Sequence, residues 1–350
     1  MIPNTEKLSG ALLAWYDLNR RILPWRAAPG IRANPYHVWL SEIMLQQTKV
    51  ETIKPYFTGF ITRWPNFFAL AEADQDTVLH AWQGLGYYAR ARNLLKCACI
   101  VAEKFNGKLP ETEKELLKLP GIGEYTAAAI ASIAFEKKAV VVDGNVERVV
   151  ARLFAVKVPL PRAKQDLKKL AEKLTPEKRP GDYAQAIMDL GATVCTPQNP
   201  TCTICPWRSS CNAKLVGIEL NIPAKTPKKK RKGRFGVAFW IKAADETVFL
   251  RRRDDKGLLG GMFEFPSTQW LETPWILSEA IACGPIKASW TPISPTVNHS
   301  FTHFDLELEI ILAQVDVKPE LKGVWCSPSD LDQYALPTLM KKVAMVAMKH

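Results

Sequence analysis

The chain has 350 residues, a formal net charge of +12 and a pI near 9.3, long enough for two domains with cores of their own. The basic balance favours a polyanionic partner, nucleic acid above all, although a ribosomal or membrane surface would suit the same figure. No apolar run reaches membrane-spanning length, and Met1–Lys7 is polar without a signal-peptide core, so a cytosolic chain with reduced cysteines is expected.

Residues 8 to about 214 read as helices separated by short Pro/Gly loops, with no convincing strand pattern. Asn34 and Pro35 make a helix start, as N-cap and first helical residue. On the helix that follows, Glu42 shares a face with Val38 and Trp39 one turn before and Leu45 and Gln46 one turn after. A carboxyl among such neighbours is desolvated and its pKa rises, as a general acid near neutral pH requires. An isolated glutamate is more often exposed or salt-bridged. Farther on, Thr112 with Glu115 forms a capping box opening a short helix that Pro120 and Gly121 close. Gly123 starts a second helix rich in small residues, Ala127, Ala128, Ala129 and Ala131. So tight a hairpin aims bare backbone N–H groups and a helix N-terminus outward, an anion site that on a basic chain suits a DNA phosphate. Asp143 ends an apolar run where the next N-cap belongs. A plain αα-turn and a plain N-cap would read the same way.

Four of the eight cysteines, Cys97, Cys99, Cys283 and Cys326, are scattered and read as buried small hydrophobes. The other four, Cys195, Cys202, Cys205 and Cys211, follow the pattern C-x6-C-x2-C-x5-C in one short Pro-containing loop. Thiolates this dense repel one another unless a cation neutralises them, so a metal is expected. A zinc ribbon brings two close pairs across a longer gap, whereas a four-iron cluster offers separate corners to unevenly spaced sulfurs. From Leu215 to Arg234 the chain turns basic and nearly free of apolar residues, reading as an exposed spacer or a segment that tracks phosphate. Beyond it, Val237, Phe239 and Ile241, then Val248 and Leu250, alternate like a hairpin. Phe304, Leu306, Leu308 and Ile310 alternate with Asp305, Glu307 and Glu309. The expected architecture is a mainly α domain over 1–214, a basic linker over 215–234, and a smaller α/β domain over 235–350.

The stretch 112–143 resembles the helix-hairpin-helix DNA glycosylases, whose catalytic aspartate lies just after the hairpin. The cysteine spacing matches the endonuclease III and MutY branch of that superfamily, and the likeness implies a [4Fe–4S] cluster on Cys195, Cys202, Cys205 and Cys211. Trp39-Leu-Ser-Glu-Ile-Met-Leu-Gln-Gln-Thr48 resembles the motif of the MutY-type adenine DNA glycosylases, as do Leu23-Pro-Trp-Arg26 and Gln83-Gly-Leu-Gly-Tyr-Tyr-Ala-Arg90. By motif position, Arg26 and Glu42 lie at a flipped adenine, and Gln47 and Tyr87 wedge into the gap it leaves. Gly121 and Gly123 hold the DNA backbone at the hairpin. The resemblance makes Glu42 the acid that protonates adenine at N7, and Asp143 the ionised stabiliser of the sugar cation, as a charge or a transient covalent partner. Asn145 positions the sugar phosphate. Tyr125 stands where lyase-active relatives carry a Schiff-base lysine, so base excision without strand cleavage is implied. The loop Thr196-Pro-Gln-Asn-Pro-Thr201 departs from relatives, which carry basic residues there, and this leaves its contact with DNA in doubt.

Gly257-Leu-Leu-Gly-Gly-Met-Phe-Glu-Phe-Pro266 resembles the Nudix fold, but the Arg-Glu…Glu-Glu run that binds magnesium is missing. A recognition domain without hydrolase activity is implied. His299-Ser-Phe-Thr-His303 matches the family loop that probes 8-oxoguanine, with Phe301, Thr302 and His303 as its readers. The expected partner is duplex DNA carrying adenine opposite 8-oxoguanine or guanine, bound by a monomer. Three other readings compete. Tyr125, the Glu42 motif and the extra domain speak against an endonuclease III-like lyase. Two retained carboxylates speak against a purely binding or redox-sensing iron–sulfur protein. The missing magnesium ligands speak against a nucleotide pyrophosphatase.

Overall fold

The computed structural model describes residues 4–224, 226 and 231–350. Of these, the residues within Met1–Glu72 and Asn93–Lys228 form one compact unit, and those within Ala73–Arg92 and Lys229–His350 the other. Much of the expected basic linker, Lys225 and 227–230, lies outside the described residues.

The first unit is helical: α1 (Thr5–Asn19), α2 (Pro35–Met44), α3 (Val50–Arg63) and α4 (Phe67–Ala71) precede α5 (Gln75–Ala81), which belongs to the second unit. Next come α6 (Ala89–Phe105), α7 (Glu113–Leu116), α8 (Glu124–Phe135), α9 (Gly144–Leu153), α10 (Lys164–Leu174), α11 (Pro180–Asp189) and, after the cysteine loop, α12 (Asn212–Leu215). Short polar side chains start several of them. Asn34 accepts from the Tyr36 and His37 amides with Pro35 at the first helical position, and Thr112 accepts from the Glu115 amide. Each such cap satisfies donors that have no intrahelical acceptor. Helix α8 is buried from Thr126 to Ala134, and its small side chains let α2 and α11 pack against it. Helix α9 turns Val146, Val149, Val150 and Leu153 into a core shared with Leu8, Leu12 and Tyr16 of α1.

The second unit is a six-stranded mixed sheet: β1 (Lys232–Ala243), β2 (Val248–Arg252), β3 (Phe263–Glu264), β4 (Thr291–Ser300), β5 (Phe304–Val315) and β6 (Val324–Cys326). Its order is β3-β2-β1-β5-β4, with β6 pairing β2. The end of the expected linker, Lys232–Arg234, is therefore strand. The hairpin expected from residues 237–250 forms with Lys242 opposite Val248, whereas β1 and β5 run parallel from Lys232/Phe304 to Ala243/Val315. Leu306, Leu308 and Ile310 are buried beneath α14 (Thr338–Ala347), which contributes Leu339, Met340 and Val343. The short α13 (Leu277–Ala282) covers the other face through Ala280.

Residues 73–92 group with this sheet unit although the sequence suggests they belong to the helical one. Specific polar contacts explain it: Asp76 pairs with Arg252, Gln75 with Asp255, and the Gln83 amide reaches the Tyr334 carbonyl at 2.6 Å. Of the scattered cysteines, Cys97 and Cys326 are buried as expected, but Cys99 is half-buried, and Cys283, the C-cap of α13, is exposed where that helix ends.

Candidate active site

A cavity of about 920 Å³ opens within the first unit, and Arg26, Glu42, Gln47, Tyr125, Asp143 and Asn145 all line it. Glu42 sits on the last turns of α2, 5% exposed, with Oε2 buried and without a hydrogen-bond partner among the described residues. Burial pushes its carboxyl up to about 7; a hydrogen bond from Tyr125 opposes this, the nearby Asp143 adds to it, and Arg26 opposes it weakly. The Tyr125 hydroxyl also lies 3.3 Å from Met188 Sδ. Its single proton serves one acceptor at a time, and an ionised carboxylate is the stronger of the two. Burial and the neighbouring carboxylates hold the phenol well above its ordinary range, so it acts as a neutral donor.

Asp143 is half-buried and caps α9, accepting from the amides of Asn145 at 2.9 Å and Val146 at 2.7 Å. Asn145 Nδ2 donates to its other oxygen at 2.9 Å. Three donors and a helix N-terminus surround this carboxylate with positive potential. One buried acid with a raised pKa and one helix-capping carboxylate thus share a cavity, the pairing that hydrolysis of a glycosidic bond requires.

The hairpin forms, although α7 is a single turn. Thr112 donates its hydroxyl to Glu115 Oε2 at 2.7 Å, a variant of the capping box in which the acid meets the side chain. Gly121 adopts φ +76°, a left-handed conformation that a side chain would strain. Gly123 is the N-cap of α8 and offers no side-chain acceptor, so the first amides of α8 lack intrahelical partners. Gln46 steadies the turn from α2, donating to Gly121 O and Thr126 Oγ1 at 3.3 Å each.

Arg26 lines the cavity, but its fork is engaged. Both terminal nitrogens donate to Asp189, at 2.6 and 2.8 Å, and Arg21 Nε adds a third contact at 2.6 Å. Burial alone would raise the Asp189 carboxyl, but Arg26 and Arg21 outweigh it and hold it below its ordinary value. Neither Asp189 nor Arg148 stands out in the sequence. Arg148 on α9 binds Asn145 Oδ1 at 2.8 Å, the Gly191 carbonyl at 2.6 Å and the Cys195 carbonyl at 2.7 Å. Arg148 lies on the side of α9 opposite Val146, Val149, Val150 and Leu153, where a charged residue is ordinary, so nothing in the sequence names its partners.

Behind Arg148, Cys195, Cys202, Cys205 and Cys211 line one small pocket with Arg152. Burial pushes Cys205 up to about 12, with the other sulfurs adding to the shift; thiols so placed ionise only with a cation among them. No three His, Cys, Asp or Glu side chains among the described residues gather as ligands of one ion. Arg152 Nη1 approaches Cys195 Sγ at 3.3 Å and also donates to the Thr196 carbonyl, while Nη2 and Nε donate to the carbonyls of Pro197 and Ile222. Lys214, which also lines that pocket, pairs with Glu219 at 2.7 Å.

The remaining expected residues lie in the second unit. Tyr87 is 46% exposed and its hydroxyl meets that of Thr302. Thr302 and His303 are exposed, whereas Phe301 is half-buried. Glu264 is buried and bound by both Arg251 and Arg253, so its charge is already committed.

Residues 40–177 match the family described as HhH-GPD superfamily base excision DNA repair protein, and residues 237–345 match the NUDIX domain. The adenine DNA glycosylase of Buchnera aphidicola subsp. Baizongia pistaciae is 36% identical over 95% of this chain and 94% of its own length. The chain belongs to the adenine DNA glycosylase family. The human adenine DNA glycosylase is 34% identical, covering 99% of this chain and 74% of its own. A thermostable thymine-DNA glycosylase aligns with a TM-score of 0.54 at 28% identity, over 61% of this chain and 97% of that one. An endonuclease III solved in a non-covalent DNA complex (TM-score 0.50, 22% identity, 61% of this chain and 98% of that one) shares the helical fold. Membership of the adenine DNA glycosylase family makes the protein an enzyme of base excision repair, and its kinship points to a metal cofactor. No helix among the described residues is long and apolar enough to cross a membrane.

Proposed function

We propose that the protein hydrolyses the N-glycosidic bond of adenine paired with 8-oxoguanine or guanine in duplex DNA, acting as a monomer and without cutting the strand. The observation that carries this reading is the buried Glu42, with its pKa near 7, in one cavity with the helix-capping Asp143. Without protonation adenine would have to leave as an anion, a poor leaving group, so Glu42 gives its proton to adenine N7 as the bond from N9 to C1′ breaks and its electron pair passes to the base, which leaves neutral. Asp143 and the α9 N-terminus stabilise the positive charge left on the sugar. Water adds to C1′ and its proton goes to the Glu42 carboxylate. Asn145, bonded to Asp143, holds the sugar side of the site. Tyr125 cannot form an imine, so no Schiff-base route to strand cleavage exists.

Arg26, held by Asp189, presents a fixed edge of the adenine pocket. Gln47 (φ 59°) and Tyr87 (φ 48°) both adopt left-handed backbones, a conformation that costs a side-chain-bearing residue stability and recurs at functional sites. That strain supports their roles as wedges into the stack, with Gly121 and Gly123 holding the backbone phosphate. The four cysteines fit a [4Fe–4S] cluster: they line one small pocket, and their uneven spacing suits the separate corners of such a cluster better than the paired ligands of a zinc ribbon. Such a cluster ties the 195–211 loop into one piece. The NUDIX-like unit reads the oxidised base through the loop that carries Phe301, Thr302 and His303, without hydrolase activity. The test is single-turnover release of adenine from duplexes carrying adenine opposite 8-oxoguanine, with and without hot alkali. Release followed by strand breaks only after alkali is expected; breaks without alkali would overturn the monofunctional reading.

A further inference from the structure

An aromatic stack with two arginines lies beneath the 301–303 loop, and nothing in the chemistry above uses it. The Phe301 amide donates to the Phe304 carbonyl at 2.9 Å, closing a tight turn whose central residues, Thr302 and His303, are exposed. The Phe301 ring is turned inward. It stacks on Trp270 with centroids 5.5 Å apart and planes 28° from parallel, and also meets Phe304 at 4.8 Å and His299 at 4.6 Å. Trp270 has a built seat. A Cβ on Gly236 would fall 2.6 Å from its Cδ1, so only glycine leaves room for the indole. The Arg253 guanidinium lies 5.5 Å from the Trp270 ring and is fixed by the buried Glu264. Arg234 donates to the Trp270 carbonyl at 3.4 Å and lies 4.9 Å over the Phe304 ring.

We propose that Trp270 is a positioning residue for the base-reading loop, seating Phe301 as its anchor so that Thr302 and His303 are the residues that meet the oxidised base. The inference rests on the reading of 299–303 as a recognition loop. A two-residue tip can discriminate between bases only if its polar groups are placed before the base arrives, because ordering them on binding would consume the selectivity they supply. Phe301 cannot serve freely as a reader while its ring is held between Trp270, Phe304 and His299. Its contribution comes through the geometry of the two residues that follow it.

The experiment uses the full chain and compares single-turnover rates on adenine opposite 8-oxoguanine and opposite guanine, with thermal unfolding recorded for every variant. Trp270→Leu should narrow the preference roughly three- to tenfold, the range set by one aromatic pair, while sparing the rate opposite guanine. Trp270→Phe should restore most of it. On a Phe301→Ala background, Trp270→Leu should have no further effect. If Trp270→Leu does not fold, Gly236→Ala displaces the same indole and should narrow the preference equally. Full preference in Trp270→Leu or Gly236→Ala, when Phe301→Ala lowers it, would overturn the seating role alone. Full preference in the double variant Thr302→Ala, His303→Ala would remove the loop from recognition, and this inference with it.

Discussion

Glu42 should set the pH dependence of both catalysis and stability, with opposite consequences for a glutamine substitution. Burial raises its carboxyl from an ordinary 4.5 to about 7, so the acid form persists at neutral pH and is lost above it. If Glu42 delivers the proton, the single-turnover rate should fall about tenfold per pH unit above 7, and Glu42→Gln should lose on the order of a hundredfold or more at every pH. Native stability also falls with rising pH, but over a lower window. Between the unfolded value and about 7 the unfolded chain gives up this proton while the native one keeps it, so native stability falls as pH rises through that window. A shift of this size corresponds to roughly 3 kcal/mol, at about 1.4 kcal/mol per pKa unit. Glutamine carries no such penalty. Glu42→Gln should therefore be inactive yet more stable than the parent at pH 9, with the advantage shrinking towards pH 5. Denaturant unfolding of both proteins at several pH values, beside the rate profile, tests the pair. A rate that stays flat from pH 6 to 9, or a glutamine variant no more stable at high pH, would refute a buried, protonated acid.

Asp143→Asn keeps most of the cap but removes the charge facing the sugar, so adenine release should fall on the order of a hundredfold while duplex binding persists; near-normal single-turnover rates would remove Asp143 from the mechanism. Protein purified without oxygen should be brown and hold about four irons per chain, and stoichiometric zinc without iron would overturn the cluster. Asp189→Asn should destabilise the fold by roughly 3–5 kcal/mol, because it leaves the buried Arg26 without its counter-ion; chemical denaturation measures this, and a loss below about 1 kcal/mol would show that Arg26 finds another partner.

Features set by local chain chemistry were legible in the sequence. Asn34 before Pro35, Thr112 before α7 and Asp143 before α9 are all N-caps, whose signal lies within a few residues. The alternation of β5 was equally local, and Leu306, Leu308 and Ile310 are buried as it requires. What could not be read depends on partners far apart in the chain. Asp189 lies 163 residues from Arg26, and no periodicity links them. Asp76, Gln75 and Gln83 draw 73–92 towards the sheet unit through contacts more than 170 residues distant. The parallel pairing of β1 with β5 is likewise a choice of partner, and both strands would alternate in the same way in an antiparallel arrangement.

The short segment from Asp189 to Cys195 explains how Glu42 and Asp143 can be so differently surrounded in one cavity. At its start, Asp189 engages the whole Arg26 fork. A free guanidinium beside Glu42 would favour the ionised acid, whereas one already paired exerts only the weak opposing pull seen there. At its end, the carbonyls of Gly191 and Cys195 hold Arg148, which takes Asn145 Oδ1 and leaves Asn145 Nδ2 for Asp143. The same segment thus keeps free positive charge away from Glu42, the proposed acid, and brings donors to Asp143, the proposed charge stabiliser. If the four cysteines hold a cluster, as proposed, it fixes the Cys195 end of the segment from which Arg148 hangs, and Arg148 and Asn145 link the sulfur pocket to Asp143.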